Sequence, residues 1–146
     1  MTRDGVPIVI HGEKPNNHLT VVYGKEVFAK DLGVENACAI QIGEGETVPT
    51  LLSVIEWAKE SKIELNIEIK EKDERIVPIV CDMVRKLDAE NFCHFSSFEE
   101  HIRTALRKEL KGNVEVAWLY HRHGKEVRRL SRPHKRQNYA FSFGYV

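Results

Sequence analysis

The chain has 146 residues, of which 42% are apolar and 30% charged, and its formal net charge is zero. Those values describe one soluble globular domain with a real core, and they exclude both a disordered tail and two ordinary domains. No apolar run approaches the roughly 18–20 residues that cross a bilayer, and the start Met1 to Gly5 lacks a secretory pattern.

The turn pair Asp4-Gly5 opens a short apolar run, Val6–Ile10, of strand type. Residues 11–48 are rich in Pro, Asn and Gly and read as a long loop with one short strand around Leu19–Tyr23. Pro49-Thr50 then opens a helix, with Leu51, Leu52, Val54, Ile55 and Ala58 at helical spacing through Lys59. Ile63–Ile69 follows as a strand. Asp73–Leu87 is a second helix, and Pro78 inside it predicts a later start or a kink. Phe92–Phe95 is the next strand. Ser96 or Ser97 can cap a third helix over Phe98–Leu110, whose first turn carries Glu99 and Glu100. Gly112 suits a position just past that helix, and Val114–Leu119 is the last clear strand. Strands alternating with helices in this way predict βαβ units around a parallel sheet, an α/β fold.

The strand Ile63-Glu-Leu-Asn-Ile-Glu-Ile-Lys70 alternates strictly. Its isoleucines and Leu65 face one way, and Glu64, Asn66, Glu68 and Lys70 face the other. Such alternation also describes an ordinary half-solvated strand. In a closed parallel barrel, however, Asn66, Glu68 and Lys70 would point inward near the carboxyl end, where barrels place their chemistry. A buried Glu68 carboxylate would then need Lys70, a cation, or both.

Three segments in order, with a fourth behind them, resemble the glycerophosphodiester phosphodiesterase family. Arg3-Asp-Gly-Val-Pro-Ile-Val-Ile-His11 is similar to the family's "kDGvPVViHD" segment, which ends in a catalytic histidine. Glu46-Thr-Val-Pro-Thr-Leu-Leu-Ser-Val-Ile55 is similar to "ETIPTLEEVL", and Leu65-Asn-Ile-Glu-Ile-Lys70 to "xNIEIK". His94-Phe-Ser-Ser-Phe98 resembles the "vSSFd" turn. The PTL and NIEIK stretches favour this branch over sphingomyelinase-D-like or phosphatidylinositol-phospholipase-like barrels.

The resemblance implies a partial TIM-type (β/α) barrel of about four parallel strands over residues 1–120. It implies hydrolysis of a glycerophosphodiester to glycerol 3-phosphate and an alcohol, within lipid metabolism. The implied cofactor is Mg2+ or Ca2+, bound weakly here. His11 matches a catalytic histidine, Glu68 a metal carboxylate, and Lys70 a basic residue near the phosphate. A cation and Lys70 suit charge growing on phosphorus oxygens, and an imidazole can protonate a leaving alcohol. The family's first catalytic histidine and two metal carboxylates would precede Met1, and its late strands would follow. Activity is therefore expected to be impaired. A non-catalytic binding module is the alternative, and the exposed edges of an incomplete sheet invite self-association.

The remaining histidines (His18, His94, His101, His121, His123 and His134) read as ordinary surface or loop residues. Three cysteines without a CxxC pair predict reduced thiols in the cytoplasm and no structural zinc. Charge is uneven: residues 1–120 hold 15 Lys+Arg against 21 Asp+Glu, whereas 121–146 hold 7 against 1. The latter is a basic C-terminal tail, irregular or poorly packed. It lacks interleaved aromatics over 121–138, so nucleic acid is not the expected partner.

Overall fold

The computed structural model describes residues 1–10, 18–22, 25–42 and 45–119. His11 and the basic segment 121–146 lie outside them. The chain packs as two units, Met1–Ser61 and Lys62–Val146.

In the first unit, the expected Asp4-Gly5 turn forms, with Gly5 at φ +81°. The Thr2 hydroxyl donates its one proton to Asp4 Oδ1, with the Val6 carbonyl 3.1 Å away, and Thr2 Oγ1 accepts the Val6 N–H. Val6–Ile10 is not a strand. Pro7 has no N–H to give a ladder, and the segment makes one isolated antiparallel bridge, Ile8 with Thr50. Two flanking bonds complete it, Val9 N to Pro49 O and Leu51 N to Pro7 O, each 2.9 Å.

The stretch expected to be mainly loop holds more structure than its Gly and Pro content suggests. Strand β1 (His18–Val22) pairs antiparallel with β2 (Lys25–Phe28), followed by a 3-10 turn at Ala29–Asp31. Helix α1 (Val34–Cys38) has Gly33 as its N-cap, which brings no side-chain acceptor. The Asp4 carboxylate, thirty residues earlier, accepts the orphan Val34 N–H at 3.1 Å instead. The Thr2 hydroxyl and that N–H hold the Asp4 carboxyl below its usual range. Helix α2 (Leu51–Ser61) starts where expected. Thr50 Oγ1 accepts the Ser53 N–H at 3.1 Å, the N-cap-to-N3 bond, and Leu51, Ile55 and Ala58 are buried.

The second unit is a parallel sheet of three strands among the described residues, in the order β3 (Leu65–Glu68), β4 (Cys93–Ser97), β5 (Val116–Trp118). Helices α3 (Ile76–Lys86) and α4 (Glu100–Leu110) form the crossovers, as βαβ units require. Helix α3 begins three residues later than its composition suggests. Pro78 thus falls in its first turn, where a missing N–H costs no intrahelical bond. Neither Ser96 nor Ser97 caps α4. The N-cap is Glu99, and both serines belong to β4. Past α4, Lys111 and Gly112 adopt φ +51° and +79°, the left-handed exit expected at Gly112.

Register fixes which side chains share a face. Leu65 lies beside Cys93, Ile67 beside Phe95, and Phe95 beside Val116. On that face Ile67, Cys93, Phe95 and Val116 are buried, and α4 packs on β4, β5 and α3. Phe95, Ile102 and Leu106 are fully buried, each contributing about 1.5–3 kcal/mol. The opposite face carries Asn66 beside His94, Glu68 beside Ser96, and Ser96 beside Ala117. One side of this sheet is a core, and the other is polar.

Candidate active site

Glu68 closes β3, so its carboxylate sits at the carboxyl end of a parallel strand, where α/β sheets place ligands. Lys70 lies two residues on, and its ammonium donates to Glu68 Oε1 at 3.0 Å. The pair is mostly withdrawn from water, with side-chain exposures of 28% for lysine and 21% for glutamate. Each group compensates the other's charge.

The backbone under this pair is held by the turn between β4 and α4. Ile69 N donates to Ser96 O at 2.8 Å. The Ser97 hydroxyl donates to Ile69 O at 2.8 Å and accepts the Glu99 N–H at 3.1 Å. Further along, Lys72 Nζ pairs with Glu99 Oε1 at 3.1 Å. His101 Nε2 lies 2.9 Å from the Lys72 carbonyl, which can only accept, so Nε2 carries the proton in this contact. Arg103 is buried at 6% exposure. Its Nη1 donates to Ser97 O and Phe98 O at 2.9 and 2.8 Å, and its guanidinium stacks 5.4 Å from the Trp118 ring centre. Burial, followed by the nearby Arg107 charge, lowers the Arg103 pKa, yet a guanidinium remains charged at neutral pH.

At the other end of the polar face, the His94 imidazole stands between two carboxylates, 3.7 Å from Glu64 and 3.9 Å from Glu115. Two buried side-chain atoms have no hydrogen-bond partner among the described residues: Ser96 Oγ and Glu115 Oε1.

Of the three residues expected at the site, Glu68 and Lys70 are in direct contact, and His11 lies outside the described residues. Ser97 and Arg103 are the residues that sequence reasoning missed. Arg103 left a legible signal, because it occupies the apolar stripe of α4 with Ile102, Leu106 and Leu110. Ser97 stood out only as one of two serines in the His94–Phe98 stretch, and its bond to a carbonyl 28 residues away had no local signal.

A parallel sheet whose strands are joined by crossover helices, with a charged pair at its carboxyl end, has the architecture of a segment of a (β/α) barrel. The chain belongs to the Glycerophosphoryl diester phosphodiesterase family, whose model matches residues 1–139. It is similar in fold to a candidate glycerophosphodiester phosphodiesterase from Galdieria sulphuraria (TM-score 0.72, 20% identity, 82% of this chain and 49% of that one). A candidate glycerophosphoryl diester phosphodiesterase from Silicibacter pomeroyi gives a TM-score of 0.74 at 20% identity, over 91% of this chain and 57% of the other. A glycerophosphodiester phosphodiesterase from Parabacteroides distasonis gives 0.62 at 19% identity, over 78% and 50%. The chain thus spans about half the length of these structures, and its fold is a partial barrel of their type. No curated protein matches it.

Members of the family generally depend on a divalent metal. Among the described residues no group of three or more His, Cys, Asp or Glu converges into a cage. Glu68 alone does not meet a hard cation's need for about six oxygens.

Proposed function

We propose that this chain acts on glycerophosphodiesters, releasing glycerol 3-phosphate and an alcohol, with its own turnover slow. The observation that carries this reading is the Glu68–Lys70 pair, held at 3.0 Å on the polar face at the carboxyl end of β3, in a member of this family. Lys70 would meet the phosphodiester anion, and its ammonium would gain most as charge builds on the phosphorus oxygens. Glu68 would orient Lys70 and offer one carboxylate to a cation, Mg2+ or Ca2+. His11 would protonate the departing alcohol as water adds to phosphorus and the P–O bond to that alcohol breaks. One carboxylate is not a cage, so no step here runs through the metal.

The test is incubation of the pure chain with glycerophosphocholine and Mg2+, with glycerol 3-phosphate as the product assayed. Slow release that K70M, E68Q and H11A each reduce further supports the reading. Release unaffected by these substitutions overturns the site, and turnover near about one per second, a typical enzyme rate, overturns the impairment.

One observation favours the non-catalytic alternative: Lys70 is already satisfied by Glu68. A chain that binds glycerol 3-phosphate without any turnover would establish that module instead. Strands β3 and β5 are edges of the described sheet, which supports self-association, to be read by gel filtration. The three free thiols support a reducing, cytoplasmic setting, and no described helix is long and apolar enough to cross a membrane. Residues 1–120 as the barrel segment, with 121–146 as a separate basic tail, complete this reading.

A further inference from the structure

The pairing of β3 with β4 stops at Glu68 opposite Ser96. The Ile69 N–H is still held by Ser96 O at 2.8 Å, and the Ile69 carbonyl lies one residue beyond the last paired position. There the Ser97 hydroxyl takes over from the ladder, donating to Ile69 O at 2.8 Å from a fully buried position. Ile69 is the residue between Glu68 and Lys70. Extended backbone through it is what puts the side chains at 68 and 70 on one face. A turn at Ile69 would carry the Lys70 ammonium away from the carboxylate 3.0 Å from it. The same hydroxyl accepts the Glu99 N–H, so it locks the exit of β3 to the entry of α4. The neighbouring Ser96 is equally buried but its hydroxyl has no partner among the described residues, so the strap belongs to one serine and not to the strand's composition.

We propose that Ser97 is a positioning residue for the phosphate-binding group. Its hydroxyl holds the Glu68–Ile69–Lys70 backbone extended, and this keeps Lys70 aimed at the polar face. The inference rests on the reading of Lys70 as the group that meets phosphate.

The full chain is titrated with glycerol 3-phosphate while the backbone amide NMR signals of Ile69 and Lys70 are followed. The wild type is expected to show saturable shifts that K70M abolishes. S97A is expected to bind about tenfold more weakly, the equivalent of one supporting hydrogen bond. S97T, which keeps the hydroxyl, is expected to restore binding. If S97A does not fold, S97C carries the comparison as a near-isosteric, weaker donor, again expected to bind less well. H101A cuts another link of the same turn, at the Lys72 carbonyl, and is expected to leave affinity unchanged. Wild-type affinity in S97A or S97C overturns the proposal, as does an equal loss in H101A, which would make the role general turn stability. K70M binding like wild type, or a wild-type chain that does not bind, overturns the Lys70 reading itself.

Discussion

Lys70 Nζ and Glu68 Oε1 are 3.0 Å apart on adjacent same-face positions, and about a quarter of each side chain meets water. Neither group can lose the other without cost. K70M leaves the carboxylate without its charge-assisted bond, and the expected loss is about 1–2 kcal/mol, at the lower end of the range for charged partners because water still reaches the pair. E68Q combined with K70M should recover part of that loss. Urea unfolding checks both; a K70M chain as stable as wild type would mean the pair is solvated and energetically idle.

The adjacent serines of β4 should respond to alanine differently. Ser97 makes two hydrogen bonds through its hydroxyl, to Ile69 O and from Glu99 N. Its removal strands a buried carbonyl and should cost about 1–3 kcal/mol. Ser96 Oγ is buried without a partner among the described residues, so S96A deletes a desolvated hydroxyl and none of the hydrogen bonds seen there. S96A is expected to be neutral or slightly stabilising. Thermal or urea midpoints of the two variants, measured side by side, decide it, and a destabilised S96A would reveal a partner for that hydroxyl.

What could be read from the sequence follows the reach of the interactions involved. Helices α2, α3 and α4 and the strands of the parallel sheet announce themselves by local period, since apolar residues at helical or alternate spacing answer to burial alone. The Glu68–Lys70 contact was legible for the same reason, as residues two apart on a strand share a face. Helix α1 was not, because five residues give no period and its first N–H is capped by Asp4, thirty residues away. Val6–Ile10 misleads in the other direction. Its composition is that of a strand, but Pro7 limits pairing to one bridge. The cap of α4 was misplaced because Ser97 spends its hydroxyl across the sheet, which no local rule reveals.

Two buried thiols should weaken the fold in alkali. Burial pushes Cys81 up to about 12 and Cys93 up to about 11, from an ordinary value of 9.0. In the unfolded chain both ionise near 9.0, so between that pH and about 11 to 12 the unfolded state loses protons that the native state keeps. Stability must therefore be unaffected by these groups below pH 9 and fall through that window, by at most about 1.4 kcal/mol per pH unit for each thiol. Urea midpoints at pH 8 and pH 10.5 should diverge, and C81A should reduce the difference. At pH 8 a thiol reagent should label the half-buried Cys38 first and leave Cys81 and Cys93 until the chain unfolds. Prompt labelling of all three would contradict their burial.

Arg103 should tolerate no substitution, lysine included. Its planar guanidinium does two things at once: Nη1 donates to both Ser97 O and Phe98 O, and the plane stacks 5.4 Å from the Trp118 ring centre. A lysine ammonium can reach a carbonyl but cannot stack as a plane while bonding two acceptors. R103K should therefore cost about 1–3 kcal/mol, from a bond left unmade to a buried carbonyl and the lost ring contact. R103A should cost more, since it also empties the space of a side chain that is 94% buried on the core stripe of α4. Because Arg103 grips the carbonyl of Ser97, the loss should spread to the strap at Ile69. Amide hydrogen exchange at Ile69 and Glu99 should quicken in R103A, whereas the distant Leu65 amide, bonded to Phe92 O, should keep its protection relative to global unfolding. Uniform acceleration of all three would mean that Arg103 stabilises the unit as a whole and does not act on this turn.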